Sequence, residues 1–173
     1  MPDAPVLPAP SRFDPKHIHE ETTGTSVTQW VECFRNHPVL EDWFYEANVF
    51  PMVADVKWVD SLNSLDNSQL FDCKEEDFHT IDRTAAQSLI KRNLMTSLAY
   101  RTNVMPEGVA EAWATSFVES FSEEGTQWYG NHDVLESGNL SWNPVTQSTF
   151  DVMVVAVDIT SNAIGYFLVT DED

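Results

Sequence analysis

Three places in the chain gather side chains able to do chemistry. His17-Ile18-His19-Glu20-Glu21 sets two imidazoles and two carboxylates within five residues, a donor set that suits divalent transition metals. His19 and Glu21 also reproduce the His-x-Glu half of a zinc deaminase signature, but the Pro-Cys-x-x-Cys half is missing, since Cys33 and Cys73 stand forty residues apart. The cluster lies in proline-rich sequence, so incidental affinity or no role is favoured and no metal site is assigned. Cys33 and His37 are four apart, a spacing at which an imidazole can activate a thiolate across one helical turn. Cys33, however, adjoins Phe34 on a face the core should claim, and His37 precedes Pro38, where a helix should end. A core thiol and a capping histidine are expected. His132-Asp133 falls in turn-rich sequence with Ser137 and Ser141 nearby, residue types of nucleophilic acyl transfer. No Gly-x-Ser-x-Gly elbow supports that chemistry, and a turn held by the Asp side chain is expected instead.

The remaining signals are weaker still. With 28 carboxylates in the chain, some pair will stand at any separation a glycosidase needs, so that pattern has no specificity. Six scattered glycines make no phosphate-cradling loop, and no EF-hand spacing occurs among the acids. No catalytic residue and no cofactor are assigned.

Charge is the dominant feature. The 173 residues carry 28 acids against 9 Lys plus Arg, a formal charge of −19, which argues against direct nucleic-acid binding by a basic surface. Every basic side chain lies at or before Arg101, leaving twelve carboxylates and no Lys or Arg from residue 102 onward. Such acids cannot pair internally, and they repel one another unless water or a partner takes them. Solubility or a high-salt habitat would explain the excess blandly, although six Trp and ten Phe fit halophile composition poorly. The functional explanation is a negative surface that meets a basic protein. Its candidate residues are Asp133 and Glu136, the C-terminal Asp171, Glu172 and Asp173, and Trp142. This Trp sits in the loop Leu140-Ser141-Trp142-Asn143-Pro144-Val145-Thr146, where it either plugs the edge of the core or stands out as an aromatic anchor.

The resulting expectation is an acidic binding protein that neutralises a basic partner, in the manner of an immunity protein against a toxin or nuclease. A nucleic-acid-mimicking inhibitor and a small hydrolase with a site assembled from distant residues are the alternatives. A binder is favoured over an enzyme. Met1-Pro2-Asp3-Ala4-Pro5 does not read as a signal peptide, no apolar run reaches membrane length, and the two cysteines make no disulfide framework; a cytoplasmic location away from membranes is expected.

The elements that must position these residues follow from pattern. Residues 1–25, with Pro2, Pro5, Pro8, Pro10 and Pro15, read as a flexible lead-in, and residues 26–173 as a single domain. Ser26 and Gln29 have capping-box spacing before Val27, Trp30, Val31 and Phe34. A second helix is predicted from Pro38, with Val39, Leu40, Trp43, Phe44 and Ala47 as its stripe, stopped by Pro51. Val53 to Val59 suit a strand, and Leu62, Leu65 and Leu70 a short helix or an ordered loop. A helix from Ile81 to about Tyr100, capped by Thr80, and one from Pro106 to near Gly125 follow, the latter with Val109, Trp113, Phe117 and Phe121 at four-residue intervals. Phe150 to Ile159 and Ile164 to Val169 form a β-hairpin, the first strand being central and buried on both faces. The fold class is α+β, with several amphipathic helices packed on a C-terminal antiparallel sheet that ends in the hairpin. The core should unite Trp30, Phe34, Trp43, Phe44, Leu89, Leu94, Trp113, Phe117, Val154 and Phe167.

Overall fold

The structure, a computed structural model, describes residues 26–36, 45–65, 70, 73–98, 102–134 and 140–171. It is an α+β fold: helices lie on an antiparallel sheet whose C-terminal strands are joined as a hairpin. The helices are α1 (Val27–Arg35), α2 (Trp58–Asn63), α3 (Arg83–Met95) and α4 (Glu107–Glu119), and the strands of the main sheet are β1 (Tyr45–Pro51), β2 (His79–Ile81), β3 (Thr126–Gly130), β6 (Phe150–Asp158) and β7 (Ala163–Asp171). Two further strands, β4 (His132–Val134) and β5 (Leu140–Trp142), pair only with each other.

The main sheet runs β1-β7-β6-β3-β2, antiparallel at every step. The apolar run in β6 is explained by its position: between β7 and β3, with all its residues from Asp151 to Asp158 buried. The connection to β7 is the four residues Ile159–Asn162, with Asn162 in the left-handed region at φ 52°, a conformation Asn tolerates. Earlier segments supply the two edge strands, β1 and β2.

Period-2 alternation divides β6 and β7 between two cores. On one face Val154, Ala156, Phe167 and Val169 meet α1, α3 and α4. There Trp30 stacks on Phe34 at 4.9 Å and meets Trp113 edge-on at 5.6 Å, while its indole N–H donates to Ser116 Oγ at 2.7 Å. The four-residue spacing of Val109, Trp113, Phe117 and Phe121 does form one buried stripe, and the Phe121 ring lies against Gly165, where a Cβ would collide with it. Every expected core residue within the described segments joins this cluster, Leu89 as a partly buried member; Trp43 and Phe44 lie outside the described residues. On the other face Met153, Val155, Val157, Ile164, Tyr166 and Leu168 meet Val59, Leu62, Cys73, Phe78 and Val145. This layer is made largely of loops, tied by pairs such as Asn63 with the Cys73 main chain (2.7 and 2.8 Å).

Four local expectations are corrected. Ala47 is not on a helix but in β1, fully buried opposite Phe167; long-range pairing with β7 overrides a local pattern that helix and strand fit equally well. Pro38 to Phe44 lie outside the described residues. Val53 to Val59 form no strand: a turn with Asp55 at φ 60° leads into α2, and without a neighbouring strand Val53 and Val56 remain 53% and 41% exposed. Asp82, not Thr80, caps α3, accepting from Ala85 N at 2.7 Å, because Thr80 is taken by β2 opposite Tyr129. The same helix stops at Met95, where Thr96 turns extended and bridges to Asn103. By contrast, the capping box at the start of α1 is present as expected, with Ser26 and Gln29 bonded reciprocally.

Candidate functional site

Of the candidate partner-binding residues, Asp133, Trp142 and Asp171 lie in described strands, and those strands are tied to the start of β6. Asp151, 1% exposed, accepts from Asn131 Nδ2 (2.7 Å), Val145 N (3.0 Å), Thr146 N (2.8 Å) and Thr146 Oγ1 (2.9 Å). None of these donors is charged. A carboxylate removed from water is tolerated here because several aligned dipoles replace its hydration. Asn131 completes the knot: its Oδ1 accepts from Met153 N at 2.8 Å, and its Nδ2 also reaches the Asn143 carbonyl at 3.0 Å. The chain is thereby clamped on both sides of the β4–β5 hairpin, at Asn131 before it and at Asn143 after it.

His132 adds a further tie, its Nε2 lying 3.0 Å from the Asp151 carbonyl. A carbonyl only accepts, so Nε2 carries the proton. Burial holds this imidazole below its ordinary pKa, outweighing the opposite pull of the Asp151 main-chain bond and carboxylate. The ring is a neutral structural donor, committed to the main chain, which is the reverse of the free Nε2 a catalytic base needs. Of the serines weighed beside it, Ser141 lies in β5 opposite Asp133, and Ser137 lies outside the described residues.

The hairpin itself carries Asp133 on β4 and Trp142 on β5, with His132 paired to Trp142 and Asp133 to Ser141. Trp142 is therefore in a strand, not in the loop that its polar neighbours suggest; pairing to β4 supplies the order that composition does not reveal. Asp171 ends β7 opposite Phe150, one register position from the Asp151–Thr170 pair. Residues 38 positions apart in sequence, Asp133 and Asp171, are thus brought to the same end of the sheet. Asp171 is half-buried there, and with burial its charge pushes the Tyr45 hydroxyl pKa well up. Glu136, Glu172 and Asp173 lie outside the described residues, as do His17, His19, Glu20, Glu21 and His37. Cys33 is half-buried against the aromatic core and Cys73 is buried in the opposite layer.

Among the described residues no group of three or more His, Cys, Asp or Glu is placed to hold a metal ion, and no helix is long and apolar enough to cross a membrane. A concave feature lies elsewhere, at the corner where β2 gives way to α3: a notch of about 360 Å³ bordered by Thr80, Arg83, Glu123, Gln127 and Trp128. The sequence reading missed both this notch and the Asn131–Asp151 knot. The knot had a legible trace, since an aspartate bounds each end of the buried run Val152–Val157. The notch had none, because its walls come from two stretches far apart in sequence, residues 80–83 and 123–129.

Compared with family models, with characterised proteins and with solved structures, the chain matches none of them.

Proposed function

We propose that this chain is an acidic binding protein that captures a basic protein, in the manner of a cytoplasmic immunity protein that silences a toxin or nuclease. The observation that carries the reading is the convergence of the hairpin bearing Asp133 and Trp142 with the strand end bearing Asp171, all within a stretch that has twelve carboxylates and no Lys or Arg. A rigid base under a small hairpin suits such a role, because a preorganised surface loses little freedom on binding. Opposed charge would accelerate encounter, and an aromatic residue on the hairpin would slow release.

The test begins with capture of partners from the native host at low ionic strength, followed by association kinetics with the purified partner. Recovery of a basic protein whose association rate falls steeply with salt is expected, since the attraction is screened over about 8 Å at physiological ionic strength. Asp133→Lys with Glu136→Lys should slow association roughly tenfold while leaving dissociation nearly unchanged, and Trp142→Ala should chiefly speed dissociation. Recovery of no basic protein, together with turnover of a small substrate that survives stringent purification, would sink the proposal in favour of an enzyme.

A further inference from the structure

At the end of the sheet far from the β4–β5 hairpin, three connections meet. Residues 52–57 leave β1, residues 159–162 join β6 to β7, and residues 120–125 lead from α4 into β3. Main-chain hydrogen bonds tie them side by side: Met52 N donates to the Asn162 carbonyl and Ile159 N to the Gly125 carbonyl, each at 3.0 Å. Contact between the last two is close enough that a Cβ on Gly125 would collide with Thr160. The three connections therefore form one surface. Strand β6 spans nine residues, which sets this surface roughly 25 Å from the base of the hairpin.

The large apolar side chains that stand exposed among the described residues are Val53 (53%), Val56 (41%) and Ile159 (67%), and all three belong to this surface. Exposed aliphatics scattered singly need no explanation, but their gathering at one end of the molecule does. Both valines lie on one turn, which Val56 N closes on the Val53 carbonyl at 3.3 Å with Asp55 at φ 60°. Acids flank the aliphatic residues on either side. Asp55 stands exposed between the valines, and Glu123 and Glu124 stand exposed beside Gly125, next to Ile159. None of the three acids forms an ion pair among the described residues. Lys57, the one basic residue of the three connections, is already bonded to Glu75 at 3.3 Å.

We infer that this end of the sheet is a second docking surface, which takes a basic amphipathic segment of a partner protein. The apolar side chains of the segment lie on Val53, Val56 and Ile159, and its Lys or Arg side chains reach Asp55, Glu123 and Glu124. An apolar centre with a charged rim is the usual anatomy of an interface, and a rim of one sign selects the opposite sign in the partner. A second copy of the chain fits badly. It would bring like-charged rims together in a chain of net charge −19, and three aliphatic side chains cover far less than the roughly 800 Å² per partner that a stable dimer buries. A membrane fits no better, because interfacial anchoring draws on Trp, Tyr and cations, whereas the exposed apolar side chains here are aliphatic and the unpaired charges acidic. The surface is separate from the hairpin face and does not depend on it.

The experiment is a titration of the full-length chain, labelled at its methyl groups, with a synthetic amphipathic helix of Leu and Lys, reading the resonances of Val53, Val56 and Ile159. One control peptide has Ser in place of every Leu, and another has Glu in place of every Lys. Saturable shifts at these methyls are expected with the Leu–Lys peptide, and binding at least tenfold weaker with either control. Val53→Ser with Ile159→Ser should weaken the Leu–Lys peptide roughly tenfold and leave the denaturation midpoint nearly unchanged, because both side chains are exposed. Glu123→Gln with Glu124→Gln should weaken binding and flatten its salt dependence. Asp133→Lys with Glu136→Lys should leave the shifts at this end as they are, which separates this surface from the hairpin. The inference is overturned if the three residues show no saturable shifts, if shifts occur only in the hairpin, or if the Ser control binds as tightly, which would leave charge alone as the cause. Phosphatidylcholine vesicles that bind through these methyls more tightly than the peptide would overturn it in favour of a membrane. Self-association of the chain in sedimentation that Val53→Ser with Ile159→Ser abolishes would overturn it in favour of a second copy.

Discussion

Strand β6 begins and ends on a buried aspartate, and the two are held differently. Asp151 and Asp158 are each 1% exposed, and each is satisfied by uncharged donors. Asp158 accepts from Ser122 N and Oγ (3.0 and 3.1 Å), from Thr160 N (2.9 Å) and from Ser161 N and Oγ (3.1 and 3.0 Å). Thr160 and Ser161 belong to the exposed turn that follows it, so water stands ready to replace the carboxylate. The donors to Asp151 have no such recourse: Asn131 and Val145 are fully buried, and Thr146 is 2% exposed. The same residue type thus closes a self-contained turn at one end of the strand and, at the other, fixes the base of the hairpin that carries Asp133 and Trp142. What differs is whether the donors can return to solvent, and that decides how much each carboxylate matters.

The largest effect should come from Asp151→Ala. It strands four donor groups in a dry site, for a loss of about 3 kcal/mol or more, measurable as a lower denaturant midpoint. The hairpin amides of residues 132–134 and 140–142 should lose hydrogen-exchange protection in the same variant. Asp158→Ala should cost less, about 1–2 kcal/mol, because Thr160 and Ser161 rehydrate while chiefly the Ser122 contacts are lost. Equal losses at the two positions would break the comparison by showing that solvent access to the donors does not govern the cost.

These two carboxylates also mark the boundary of what the sequence makes legible. The aromatic core on the helical face follows from local period: Trp30 with Phe34, and Val109, Trp113, Phe117 and Phe121, repeat at helical spacing and pack as that spacing requires. The hairpin strands β6 and β7 are equally readable from their apolar runs. The opposite face is not, since Cys73, Phe78 and Val145 reach it from irregular segments with no shared period. Ala47 is illegible for the same reason, its strand being defined by a partner 120 residues away, Phe167. Of the candidate site, the acids and Trp142 are visible as composition, but their common location depends on pairings made only in the folded chain. Asp151 draws its significance from neighbours such as Asn131 that no local window contains.

Acidity separates the two ends by range, and provides the finest test of the comparison. At the hairpin end His132 is kept neutral by burial, below its ordinary 6.5. The unfolded imidazole therefore takes up a proton first as pH falls past 6.5, and stability is lost from there down to the folded pKa. At the turn end burial pushes the Asp158 carboxyl up, but the bonds from Ser122 and Ser161 outweigh it and leave the pKa below the ordinary 3.8. Its contribution is complete above that value and disappears only as pH falls through the lower folded pKa. Lowering pH from about 7.5 to 5.5, the range in which histidine titrates, should therefore loosen the hairpin end alone. The denaturation midpoint should fall across that interval in the native chain and fall less in His132→Gln, which keeps a side-chain donor for the Asp151 carbonyl but has no proton to gain. Asp158→Asn should leave that slope unchanged and flatten the steeper loss in strong acid. A His132→Gln variant with the native slope would show that the buried imidazole is not what couples the hairpin end to pH.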